Sequence, residues 1–122
     1  NGKGAKRDAR LSVGDTVLVA IAQVLGGCAR VIDIVARVGG EEFAVILPNT
    51  DTEGALEVAE RMRTAVGQAT WLAQPATISI GVATLQPGED ASSLYARADA
   101  ALYAAKAAGR NRVELAPAGG SA

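Results

Sequence analysis

A few polar side chains in this chain of 122 residues have the type and spacing to do chemistry. Glu41 and Glu42 directly follow Gly39 and Gly40, between two apolar runs. Glycines at such a turn let a ligand lie against the backbone, and a carboxylate beside them can hold a divalent ion against phosphate oxygens. The same four residues also suit a solvated polar turn, and nothing local separates the two readings. Lys106 and Arg110 are four apart, so a helix would put both on one face. Their plain reading is favourable positive charge at a helix C-terminus. Arg30 and Asp33, three apart, offer a planar hydrogen-bonding fork and an acceptor. Taken alone, they also fit an exposed ion pair worth under about 1 kcal/mol. Asp15 sits just ahead of a helical pattern, where negative charge stabilises the first turn.

Other chemistries are excluded. The chain has no His, so His-activated nucleophiles and His metal ligation are impossible, and Cys28 is the single cysteine, so no internal disulfide or thiolate cluster can form. Twelve Lys and Arg against thirteen Asp and Glu give a formal charge of -1, without the basic surplus that duplex nucleic acid requires. Aromatic residues are 3% of the chain, too few for a base-stacking platform. The apolar stretch over residues 16–29 contains Gln23, Gly26 and Gly27 and falls short of the roughly 20 apolar residues of a membrane span, so no membrane contact is expected from this segment. The basic start (Lys3, Lys6, Arg7, Arg10) has no apolar run behind it and is not a signal peptide. Without an initiator Met, the chain is expected to begin inside a longer protein.

The elements that must position these residues follow from periodicity. Residues 1–13 are polar, basic and aperiodic and are expected to form an irregular lead-in. Val17, Leu18, Ile21, Val24, Leu25 and Cys28 recur at steps of three and four, predicting a helix that Gly26 and Gly27 loosen at its end. The β-branched run 31–38 and the apolar run 43–47 predict two strands joined through Gly39–Glu42 as a hairpin. Residues 49–52 can cap a helix burying Ala55, Val58, Ala59, Met62 and Val66. A strand over 77–83, a helix over 91–108 closed by Gly109, and a short strand over 111–115 come next, and residues 116–122 read as a flexible tail. The order predicts an α/β (α+β) architecture, a mostly antiparallel sheet with helices packed on it, and one domain over 14–115.

The segment Arg37-Val-Gly-Gly-Glu-Glu-Phe-Ala-Val-Ile-Leu-Pro48 resembles the signature of the GGDEF family, the diguanylate cyclase domains, in its Glu-for-Asp form. Gly14-Asp15, the strand Thr77-Ile-Ser-Ile-Gly-Val82 and the run Ala98-Asp-Ala-Ala-Leu-Tyr-Ala-Ala-Lys-Ala-Ala-Gly-Arg-Asn111 are similar to further family motifs, in the family's order. The resemblance implies a palm-like, antiparallel-rich central sheet flanked by helices, similar to the catalytic domains of class III nucleotide cyclases. It implies a reaction too: two GTP condense to cyclic di-GMP with loss of two pyrophosphates, in a homodimer, with Mg2+ or Mn2+ as cofactor and a cytoplasmic location.

By the same resemblance Glu41 is the metal ligand at the hairpin and Glu42 its supporting carboxylate, the two catalytic acids. Gly39 and Gly40 admit the nucleotide, Asp15 accepts from the guanine edge, and Lys106 and Arg110 hold the β- and γ-phosphates. Arg30-Val-Ile-Asp33, five residues ahead of Gly39, resembles the family's product-inhibition site. The family's second metal-binding Asp, on a first strand, would fall before residue 1, so the chain resembles a domain lacking its first strand. Very weak or absent cyclase activity is expected of these 122 residues alone. The alternatives are a non-catalytic domain that binds cyclic di-GMP or GTP, and an α/β interaction module whose Glu41-Glu42 turn is plain surface.

Overall fold

The computed structural model describes residues 9–14, 18–39, 42–69 and 76–118. In chain order they form β1 (Ala9–Gly14), α1 (Leu18–Cys28), β2 (Ile34–Gly39), β3 (Glu42–Leu47), α2 (Thr52–Gly67), β4 (Ser79–Thr84), α3 (Ala91–Ala107) and β5 (Val113–Leu115). The five strands make one sheet in the order β2-β3-β1-β4-β5, antiparallel except for the parallel pair β4 and β5. The α+β class expected from the sequence is the one observed.

The period of two along β3 and β4 divides the sheet into two faces. Phe43, Val45 and Leu47 of β3 and Ile80 and Val82 of β4 turn to one side, where Leu25 of α1 and Ala55, Ala59, Met62 and Val66 of α2 bury them. Removing each large aliphatic side chain of this set from water contributes roughly 1.5–3 kcal/mol. On the opposite side Ala83 packs with Leu94, Ala98 and Ala101 of α3. The helix comes so close that a Cβ at Gly81 would lie 2.2 Å from the Ala98 carbonyl oxygen and 2.3 Å from the Leu102 nitrogen. Only glycine fits there. Helices α2 and α3 begin on carboxylate caps, Asp51 accepting from the Gly54 N–H and Asp90 from the Ser93 N–H, both at 2.8 Å.

Two expectations from the sequence need correction. Residues 9–13 were expected to belong to an irregular lead-in, yet as β1 they occupy the centre of the sheet between β3 and β4. Arg10-Leu-Ser-Val13 alternates polar and apolar residues, a strand pattern that the surrounding basic residues masked. The charge of Arg10 is accommodated by stacking: its guanidinium carbon lies 4.0 Å from the centroid of the Tyr95 ring of α3. The second correction concerns Val31 and Ile32, expected in a strand. They occupy a turn closed by the Asp33 N–H donating to the Arg30 carbonyl at 3.0 Å, and both are exposed.

Candidate functional site

The sequence candidates sort to the two ends of the sheet. At one end β1 finishes at Gly14, which pairs with Glu42 at the start of β3 and with Ser79 at the start of β4. Gly39, the last residue of β2, also pairs with Glu42, after a one-residue register shift that leaves Val38 as a bulge. Since β5 runs parallel to β4, α3 must cross back along the sheet, and its C-terminal end returns to this same end. Hydrogen bonds fix the return: the Asn111 N–H donates to Ser79 Oγ at 3.2 Å, and the Ile80 N–H to the Arg112 carbonyl at 2.9 Å. Gly39, Glu42 and the segment just beyond Lys106 thus meet at one rim. Asp15, Gly40 and Glu41 lie outside the described residues, although their chain neighbours Gly14, Gly39 and Glu42 all belong to this rim.

Lys106 occupies the last turn of α3 and is half-buried. Beyond it the backbone reverses through three consecutive positive φ angles, 123° at Gly109, 65° at Arg110 and 48° at Asn111. Glycine accepts this freely and asparagine tolerates it, but the left-handed region costs an arginine roughly 1–3 kcal/mol. Strain of that kind persists only where neighbouring contacts hold it. Three are visible: the Arg110 N–H donates to the Ala105 carbonyl at 2.9 Å, Ser79 accepts from the Asn111 backbone, and Arg63 of α2 donates from Nη1 to Asn111 Oδ1 at 2.9 Å. Arg63 is itself held by Glu60, which accepts from its Nε at 2.9 Å and from its Nη2. Among the described residues, neither Lys106 nor the Arg110 side chain has a hydrogen-bond or ion-pair partner, so both cations remain free for a ligand.

The described residues include no group of three or more acidic, Cys or His side chains able to enclose a metal ion. At the register position beside Glu42, β1 carries Gly14 and so no carboxylate.

The other end of β2 holds Arg30 and Asp33. The Arg30 backbone N–H donates to Asp33 Oδ2 at 2.7 Å, its Nε to both carboxylate oxygens at 3.1 Å and its Nη2 to Oδ1 at 2.7 Å. Nη2 also reaches the Pro48 carbonyl at 3.0 Å and Thr50 Oγ1 at 2.7 Å. The Asp33 side chain is only 1% exposed, whereas that of Arg30 is 45% exposed. Burial pushes the Asp33 carboxyl up, but the Arg30 hydrogen bonds and charge outweigh it and hold it below the usual carboxylate range. The sequence brought these two residues together; it did not signal Pro48 and Thr50, which are 18 and 20 positions away in the chain. Nη1 of Arg30 has no partner among the described residues.

One structural ion pair had no motif to announce it. Arg97 of α3 donates from Nε and Nη2 to Glu89, and from Nη2 to the Thr84 carbonyl at 2.6 Å. The guanidinium, helped by the Gln86 N–H and the Ser93 hydroxyl, pulls Glu89 down to about 2.

Comparison with known proteins places this geometry. The family model described as diguanylate cyclase, GGDEF domain, matches residues 11–112. Diguanylate cyclase DgcM of Escherichia coli K12 is 48% identical over 103 residues, which are 84% of this chain and 25% of that protein. The chain thus spans about a quarter of that relative's length. Among solved structures, the active GGEEF domain of a diguanylate cyclase from Vibrio cholerae superimposes with a TM-score of 0.84 at 26% identity, covering 93% of this chain and 85% of that one. The GGDEF domain of DgcB from Caulobacter crescentus, solved in complex with c-di-GMP, gives 0.84 at 30% identity, covering 95% and 79%. Gly39–Phe43 holds the Gly-Gly-Glu-Glu-Phe form of the signature, and with the match running over residues 11–112 the chain belongs to the GGDEF domain family of the diguanylate cyclases.

Proposed function

We propose that this domain condenses two GTP molecules to cyclic di-GMP and two pyrophosphates, and that product binds back at Arg30 and Asp33. The observation that carries the reading is the convergence at one rim of Gly39, Glu42, Gly14 and the turn that follows Lys106. Asp15, a carboxylate, suits the guanine edge because N1–H and N2–H2 are both donors. Gly39 and Gly40 let the triphosphate lie along the hairpin, and Lys106 and Arg110 hold its β- and γ-phosphates. Each 3'-hydroxyl attacks the α-phosphorus held by the opposite domain, expelling pyrophosphate, so two copies must face each other and the rate gain is one of proximity. Mg2+ or Mn2+, bound through Glu41 with Glu42 supporting it, would neutralise phosphate charge when present. GTP is then the substrate, the partner is a second copy, and the expected location is the cytoplasm. Among the described residues, no helix is long and apolar enough to cross a membrane.

A second reading has a specific observation behind it. Because β1 presents Gly14 beside Glu42, the sheet offers no second carboxylate at that register position, which favours a non-catalytic domain that binds cyclic di-GMP or GTP. Incubating the protein with GTP and Mg2+ and resolving the products by ion-exchange chromatography separates the two. Cyclic di-GMP and pyrophosphate in a 1:2 ratio, formed at a very low rate that rises per molecule with protein concentration, is the expected result. Nucleotide binding without product supports the second reading, and no binding of either nucleotide overturns both.

A further inference from the structure

We infer that Arg63 is a positioning residue for nucleotide binding, acting through Asn111 on the backbone that carries Arg110; this rests on the phosphate-binding role proposed above for Arg110. The segment after α3 is the least relaxed backbone among the described residues, with three successive residues at positive φ. Only one of the three is glycine. The turn closes α3 with two backbone bonds of its own, Arg110 N–H to the Ala105 carbonyl at 2.9 Å and Gly109 N–H to the Lys106 carbonyl at 3.3 Å, but neither acts on Asn111. Two groups outside the turn hold its last residue, and both act on Asn111: Ser79 Oγ accepts from its backbone N–H, and Arg63 Nη1 donates to its side-chain carbonyl.

Arg63 is well made for the task. Glu60, one turn earlier on α2, engages Nε and Nη2 and so fixes the plane of the guanidinium. The remaining Nη1 edge is aimed at Asn111, 48 positions away in the chain. The Arg63 side chain is 25% exposed, so it is neither a core residue nor a freely solvated one. The relay runs Glu60, Arg63, Asn111, then the backbone of Arg110. It ties the end of α2 to the end of α3, and neither Glu60 nor Arg63 needs to touch substrate. A flat fork with two usable edges is needed for this, which a lysine of the same charge does not provide.

The test uses Arg63→Gln, Arg63→Lys, Arg110→Ala and the Arg63→Gln, Arg110→Ala double variant. GTP affinity and KM are measured alongside cyclic di-GMP affinity and thermal midpoint. The expectation is about a tenfold loss of GTP affinity in Arg63→Gln, equivalent to about 1.4 kcal/mol, with cyclic di-GMP affinity unchanged. Arg63→Lys should not restore GTP affinity, and Arg63→Gln should add no further loss once Arg110 is Ala. Additive losses, or full rescue by Lys, would overturn the inference, since either means that Arg63 acts by bulk charge or stability. A second readout does not depend on GTP at all. In 15N-arginine-labelled protein, the Arg110 amide resonance and its three-bond HN–Hα coupling should shift in Arg63→Gln. An unchanged Arg110 signal sinks the relay, whereas a shifted signal in a protein that binds no GTP keeps the relay and removes the function proposed above.

Discussion

Arg30 is engaged by the protein before any ligand arrives. Its Nε and Nη2 are taken by Asp33, Pro48 and Thr50, and Asp33 is closed off from solvent. The sequence left an ion pair and a ligand site open, and the geometry contains the ion pair while leaving one edge of the guanidinium outward. Arg30→Ala should therefore abolish tight cyclic di-GMP binding in calorimetry and leave the fold intact. The backbone N–H at position 30 still holds Asp33, and Thr50 still donates to the Pro48 carbonyl at 2.9 Å. Unchanged affinity in this variant would remove the product site. Glu89 gives a prediction about pH. Its carboxyl is held down to about 2, against an ordinary value of 4.5. A depressed acid stabilises the fold fully above its ordinary value, and that contribution fades as pH falls from about 4.5 through 2. Glu89→Gln should flatten this acid limb in denaturant titrations and lower stability at neutral pH by about 3 kcal/mol, because Arg97 loses its charged partner in a site only 15% exposed. None of Glu89, Arg97, Thr50 or Arg63 belonged to a sequence motif. Their roles depend on partners brought close by the fold, and spacing along the chain carries no trace of that.

At the scale of elements, periodicity told most of the story. Helices α2 and α3 and strands β3 and β4 lie within a few residues of where their apolar spacing puts them. The buried face expected for α2 is observed at Ala55, Ala59, Met62 and Val66, while Val58 is half-buried. Strand β1 escaped because the basic residues ahead of it masked its alternation, and a central strand is made by its neighbours as much as by its own sequence. The hairpin was legible from Gly39-Gly40, whereas the bulge at Val38 was not, since register is decided by pairing. Gly81 was visible only as one letter of a strand motif, and the packing explains it. Gly81→Ala would drive a methyl group into the backbone of α3 and should cost at least about 3 kcal/mol in chemical denaturation, more than an ordinary overpacked core position. A near-neutral result would mean that α3 can lift from the sheet.

For the whole molecule, the consequence of the topology is separation. Strand β2 runs from Ile34, next to Asp33, to Gly39, and the six steps from Asp33 to Gly39 at about 3.3 Å each set the two ends about 20 Å apart. One ligand cannot bridge that distance within one copy by direct contact with both. A large excess of a non-hydrolysable GTP analogue should accordingly fail to displace labelled cyclic di-GMP, a result readable by equilibrium dialysis; competitive displacement would place both ligands at one end. The seating of α3 on Gly81 has its own mechanical implication. A helix lodged against bare main chain cannot slide or tilt independently of the strand beneath it, so the jaw it carries beyond Lys106 is an anvil and not a clamp. In the two-domain condensation proposed above, the travel would then be made by one whole domain swinging toward another.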